Sequence, residues 1–403
     1  MTPEAARSVD DLLARAERAK RDDDWAAIAD LAQHVPSELD AASARLADEV
    51  AFALGQLGRH REAIAFLERS WAVEPTWRRA SALAYQHYVA AMSCGRRPPP
   101  GVEPLDRESA REGFRSWIAR ALELQPGSVK DLYRLGVFEA QVESRRDKAA
   151  LRAFLAAIEA YRALPELARE RRGDLTKVYV KALYAGARSA LRLGRGRLAR
   201  RLAFACVRAD ATTNFIAPVH RFDMAGRACI ATGELDHAER AFRLALDAKG
   251  PPRRMHLYGR LADVAMRRGD LDEARRWIEA HTRPEQRPAW LWRQLGDIQR
   301  RAGAIDEALA SWNAAIQNDR SGKHLTWTRI AEVHAERGDL RRAERTYRKA
   351  VDFARRQWSK DYEPAIEGLA AVLRRRGKGH LADDLKPVAK VRRHDGRVRV
   401  AAR

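Results

Sequence analysis

Cysteine is nearly missing from this chain: Cys94, Cys206 and Cys229 are the only three in 403 residues, widely spaced and without a Cys-x-x-Cys. That excludes a disulfide framework and a thiolate metal site, and it fits a reducing compartment. No uncharged apolar run approaches the roughly 20 residues needed to span a bilayer. The first residues, Met1 to Lys20, alternate charge with small side chains where a signal peptide would carry an apolar core. A soluble, cytoplasmic protein with no membrane span is the expectation. β-branched runs of period two are lacking as well, so nothing argues for a sheet. Also missing are a Walker-type phosphate loop, His-Glu-x-x-His, Gly-x-Ser-x-Gly and any recurrent Asp or His constellation. These absences argue against an enzyme, and no catalytic residue, cofactor or metal is assigned.

What is present is charge of one sign. With 76 Lys and Arg against 55 Asp and Glu, the formal net charge is +21, which draws polyanions or acidic partners toward the molecule. Only 12 of the cations are lysine. The densest cluster runs from Gly186 to Arg208, where Arg188, Arg192, Arg195, Arg197, Arg200, Arg201 and Arg208 meet no acidic residue. Within it, Gly194-Arg-Gly-Arg-Leu-Ala199 matches the G-x-G-x-x-A form of the dinucleotide fingerprint. That fingerprint requires a preceding strand, and Ala185 to Leu193 reads as helix.

The second positive feature is a repeat. Gly233-Glu-Leu-Asp-His-Ala238, Gly269-Asp-Leu-Asp-Glu-Ala274, Gly303-Ala-Ile-Asp-Glu-Ala308 and Gly338-Asp-Leu-Arg-Arg-Ala343 each follow one amphipathic stretch and open another. Their glycines stand 36, 34 and 35 residues apart. Self-similarity at that period marks stacked helical hairpins, none of which can bury its apolar stripe alone. Gly58 to Ala63, Gly194 to Ala199 and Gly377 to Ala382 repeat the same five-residue interval.

These landmarks divide the chain. Residues 1–95 form N-terminal helix pairs with one clear unit at 44–77, Ser8 capping the first helix and Asp22 to Asp24 capping the second. Residues 96–104, rich in proline, form a loop between repeats. Residues 105–180 are degenerate helical repeats, with a glycine-free turn near Ser144 to Asp147 and a long linker from Pro165 to Asp174. A regular array fills 181–353, a capping pair follows at 354–385, and 386–403 is a basic, disordered tail.

The residues at these intervals resemble the tetratricopeptide repeat proteins. Trp292, Leu295 and Gly296, then Gly303, Ala308, Trp312 and Ala315, carry that family's order of bulky and small positions, and the match extends over 219–353. The resemblance implies an all-α fold, a right-handed α-solenoid of stacked antiparallel helix pairs, without a catalytic domain. It also implies that the first helix of each pair lines a concave groove that holds a partner segment. Carried onto this chain, the lining positions are Lys181, Tyr184, Arg188 and Arg192, then His220, Asp223 and Arg227, then His256, Asp263 and Arg267. Trp290, Arg293, Asp297, Arg300 and Arg301 follow, and Thr328 and Glu332 close the set. The cationic and aromatic members (Lys181, Tyr184, Arg188, Arg192, Arg227, Arg267, Trp290, Arg293, Arg300, Arg301) suit an acidic peptide or protein segment. The family's carboxylate clamp needs asparagines on those helices, and Asn214, Asn313 and Asn318 are not placed there. Two functions are carried forward: a non-catalytic scaffold that takes an acidic segment, or sequence-independent binding of nucleic acid (RNA) by the arginine-rich stretch 186–208 and the C-terminal tail.

Overall fold

The computed structural model describes residues 8–94, 100–143, 146–248 and 254–385, with the backbone of 393–394 and 397–398. It is built from α-helices in two compact units, residues 1–234 and 235–403. In the N-terminal unit α1 spans Val9–Arg21, α2 Trp25–Ala29, α3 Ala41–Gln56, α4 His60–Val73, α5 Trp77–Ser93 and α6 Arg107–Leu124. They are followed by α7 Val129–Gln141, α8 Asp147–Arg162, α9 Glu166–Arg171, α10 Gly173–Arg192, α11 Gly196–Ala209 and α12 Pro218–Thr232. The C-terminal unit comprises α13 Leu235–Asp247, α14 Met255–Arg268, α15 Leu271–Glu279, α16 Ala289–Arg301 and α17 Ile305–Asn318. It ends with α18 Lys323–Glu336, α19 Leu340–Trp358, α20 Glu363–Arg375 and α21 Gly379–Asp383.

Neighbours in sequence pack as antiparallel pairs: α3 with α4, α5 with α6, α7 with α8, α10 with α11, then α14 with α15, α16 with α17, α18 with α19 and α20 with α21. Successive first helices also touch, α7 on α10 on α12 in one unit and α14 on α16, α18 on α20 in the other. The reason lies in the hairpin. Gly58, Gly194, Gly233, Gly269, Gly303, Gly338 and Gly377 all have φ between 69° and 86°, the left-handed region that ends a helix without a Cβ clash. After six of them the next residue, from Arg59 to Lys378, donates its amide to the carbonyl five residues back, which satisfies the end of the helix and turns the chain.

Close approach inside a pair depends on small residues. A Cβ added at Gly296 on α16 would lie 2.4 Å from Trp312 Nε1 of α17, and one at Gly136 on α7 would lie 2.5 Å from Phe154 of α8. Each missing side chain is the socket of a fully buried aromatic ring. The two glycines of the fingerprint-like motif are explained in the same terms. Gly194 turns the chain, and Gly196 lets α11 approach α12, where a Cβ would sit 2.8 Å from the Ala231 carbonyl oxygen. Two helices flank the motif, so it is a hairpin and holds no strand.

Several expectations are met and others corrected. Ser8 accepts from the Asp11 amide at 3.2 Å and Asp24 from the Ala27 amide at 3.0 Å, so both cap their helices. The proline-rich connection joins α5 to α6 inside one pair, which corrects its placement between repeats; residues 95–99 of it lie outside the described residues. The Pro165 to Asp174 linker contains α9, and α10 begins at Gly173. Helix α19 runs to Trp358, past the boundary set at 353. Residues 144–145 of the glycine-free turn lie outside the described residues, as does the tail 386–403 apart from two two-residue strands, Arg393–His394 and Arg397–Val398, paired antiparallel.

Candidate interaction surface on the first helices

The first helices of the two units carry the same kinds of residue but dispose of their charge differently. In the C-terminal unit, α16 and α18 are joined by crossed ion pairs. Arg329 Nε donates to Asp297 Oδ1 at 2.6 Å, and Arg300 Nη1 donates to Glu332 Oε2 at 2.7 Å while its other amine reaches Glu336. Asp297 also accepts from the buried Trp312 Nε1 at 3.2 Å, which ties the surface pair to the core. Arg293 is bonded to Asp319, and Asp319 in turn accepts the amides of Ser321 at 3.0 Å and Gly322 at 2.7 Å. Burial works against the Asp319 carboxylate, yet these amides and Arg293 hold it below the usual carboxylate range. Arg267 pairs along its own helix with Asp263 at 3.1 Å. Trp290 is 39% exposed and also covers Gly259 of α14, so only part of the ring is presented. Arg301 is exposed and has no ion pair among the described residues. Thr328 is buried, its hydroxyl donating to the His324 carbonyl at 2.8 Å, which corrects its assignment to the lining.

In the N-terminal unit the expected residues gather differently. Tyr184 and Arg188 of α10 and Arg227 of α12 lie close enough that burial raises the Tyr184 hydroxyl, Asp223 raises it further, and both arginines oppose the shift. Neither Lys181 nor Arg188 has an ion pair among the described residues, and the Arg188 Nε is buried without a hydrogen-bond partner. Arg227 lies 3.8 Å from Asp223, a loose pair, and Arg192 lies 3.4 Å from Asp147 of α8.

This cluster continues through residues that sequence reasoning missed. Burial raises the Tyr133 hydroxyl on α7 while Arg188 opposes the shift, so Tyr133 adjoins the same group. Tyr88 of α5 is pushed up to about 12, chiefly by burial, with Tyr133 adding and Arg134 opposing. The Arg134 guanidinium lies 4.6 Å from the Tyr85 ring centroid. A band of four tyrosines and three arginines thus runs over α5, α7, α10 and α12. Beneath it Asp131, fully buried, accepts from Trp77 Nε1 at 2.9 Å, Ser81 Oγ at 2.7 Å, Ser128 Oγ at 2.6 Å and Arg134 Nη1 at 2.9 Å. That network fixes α5 against α7 and aims Arg134 at Tyr85. The rings of Tyr85, Tyr88 and Tyr133 are packed on one another or on core rings, Tyr85 on Tyr88 at 6.4 Å, Tyr88 on Phe114 at 5.9 Å and Tyr133 on Phe154 at 5.9 Å.

Among the described residues no three His, Cys, Asp or Glu form a group able to hold a metal ion, and no helix is long and apolar enough to cross a membrane. The three cysteines are free thiols. The arginines of 186–208 do not form one stripe. Arg188 and Arg192 belong to α10, the others to the Arg195–Arg208 hairpin and α11, and Arg200 is bound to Glu234 at 2.8 Å.

No family model matches the chain, and no curated protein does. Among solved structures, a tetratricopeptide repeat protein from Parabacteroides merdae superposes over 73% of this chain and 98% of its own, with a TM-score of 0.52 at 13% identity. Part of a repeat protein of the same kind from Cytophaga hutchinsonii covers 63% of this chain and 93% of its own at 16% identity, with a TM-score of 0.42. The helix pairing and the superposition on the Parabacteroides merdae protein give the fold of the tetratricopeptide repeat proteins: an all-α solenoid of stacked helix pairs.

Proposed function

We propose that the protein is a non-catalytic scaffold whose N-terminal unit takes an acidic peptide or protein segment on its first helices. One observation carries the reading: Tyr133, Tyr184, Arg188 and Arg227 stand on α7, α10 and α12, three first helices that pack on one another in turn, and Arg188 has no ion pair among the described residues. Arginine forks and tyrosine hydroxyls are hydrogen-bond donors, so carboxylates are the groups they complement. Lys181 extends the same face. Tyr88 and Tyr133 already pack against Phe114 and Phe154, which leaves those rings less free to stack on bases and favours a peptide over single-stranded nucleic acid. The scaffold reading also draws on the fold, since stacked helix pairs offer extended side-chain surfaces to partners.

The test is a fluorescence-anisotropy titration of the full chain with a labelled Glu-rich peptide, and in parallel with a single-stranded RNA oligonucleotide. The expected result is peptide binding weakened at least tenfold by Arg188→Glu with Arg227→Glu. RNA binding that exceeds peptide binding, falls steeply with salt and ignores that double substitution would instead support the nucleic-acid alternative.

A further inference from the structure

The second helices α8 and α11 of the N-terminal unit enclose a cleft of ≈ 310 Å³ that belongs to neither the first-helix band nor a helix hairpin. Its floor is apolar: Ile158 and Leu202 are buried, Leu155 is half-buried, and Ala205 leaves room beside them. Gly186 of α10 sits between the two helices, where an added Cβ would meet Leu202 at 3.3 Å and Phe154 at 3.5 Å, so the floor is held by close packing. Three arginines stand on the rim against one carboxylate, Glu159. Arg162 is turned toward Tyr179, its guanidinium 5.9 Å from the ring centroid and 3.4 Å from the hydroxyl. Arg201 and Arg208, both exposed, have no ion pair among the described residues, and neither does Glu159.

We propose that this cleft is a separate binding site for a small amphiphilic anion: an apolar body with one carboxylate, sulfonate or phosphate head. The volume sits at the lower end of the roughly 300–1,000 Å³ typical of small-molecule sites and is too small for a docked helix. The apolar body rests on Ile158, Leu202 and Ala205, and the head meets Arg201 and Arg208, whose planar forks bind such oxygens in pairs. Glu159 is the one rim group that opposes an anion, and so it tunes the affinity downward.

The probe is 8-anilinonaphthalene-1-sulfonate, titrated by fluorescence against the full native chain, with its uncharged relative N-phenyl-1-naphthylamine as comparator. The expected result is one saturable site, weakened at least tenfold by Arg201→Glu with Arg208→Glu, closed by Ala205→Trp, and tightened by Glu159→Gln. Arg201→Gln with Arg208→Gln removes the charge without reversing it and should weaken binding several-fold even if the reversal unsettles α11. Arg188→Glu with Arg227→Glu, on the other face, should leave the site within twofold of the native chain. Unsaturable binding, equal affinity for the uncharged probe, or a native affinity in both Arg201/Arg208 variants would overturn the proposal.

Discussion

The two units differ most where they look most alike. Along the C-terminal first helices three of the four lining arginines are engaged, Arg300 with Glu332, Arg293 with Asp319 and Arg267 with Asp263, while Arg301 has no ion pair among the described residues. On the N-terminal face Lys181 and Arg188 have no ion pair among the described residues, and the position six before the hairpin glycine, held by Asp263, Asp297 and Glu332 in the other unit, is held by Arg188 and Arg227. The C-terminal hairpins therefore spend their polar side chains on one another, crosswise between neighbours, whereas α10, at the start of the same array, keeps Lys181 and Arg188 outside any ion pair among the described residues.

Trp312→Ala removes a fully buried ring from the C-terminal unit and should destabilise it by about 3–5 kcal/mol in denaturant unfolding. Acidic-peptide binding should survive in conditions where the N-terminal unit stays folded. Asp131→Ala strips four donors of their acceptor beneath the tyrosine band, and should cost about 3 kcal/mol and the peptide affinity together.

His87 is buried in the N-terminal unit, its Nδ1 lacks a hydrogen-bond partner, and burial pushes it down to about 4 from the ordinary 6.5. The unfolded chain then binds a proton that the folded one refuses between those values. Stability from this group is complete above about pH 6.5 and falls by about 3 kcal/mol as the pH drops to about 4. Unfolding curves of His87→Gln across that range should lose this slope, and a slope unchanged by the substitution would place its origin elsewhere. The smallest effect sharpens the contrast directly. Arg188→Ala should weaken peptide binding about tenfold, about 1.4 kcal/mol, with little change in melting temperature. Arg300→Ala should leave the affinity within twofold, because its charge already belongs to Glu332 and Glu336.

Much of the fold could be read before any coordinates. Gly58, Gly194, Gly233, Gly269, Gly303, Gly338 and Gly377 announce the hairpins because only glycine takes the left-handed turn cheaply, and all seven adopt it. Ser8 and Asp24 were readable as caps because capping is local. The candidate surface was only partly legible. Tyr184, Arg188 and Arg227 follow from the repeat register, whereas Tyr85, Tyr88 and Tyr133 fall where that register lapses and no period assigns them a face. Ion pairing escapes the sequence for a different reason. Arg293 and Asp319 are 26 residues apart and Arg300 and Glu332 are 32, so their meeting depends on how hairpins stack. Arg221 is similar: 5% exposed and bonded to Asp210 and Asn214, it is an interior residue whose burial is set by the turn it anchors.

Photo-crosslinking of an acidic peptide carrying benzoylphenylalanine, followed by mass-spectrometric mapping, puts the central claim to its most direct trial. Adducts should fall on α5, α7, α10 and α12, around Tyr85, Tyr133, Tyr184 and Arg227. Adducts concentrated on α14, α16 and α18, around Trp290 and Arg301, would contradict it.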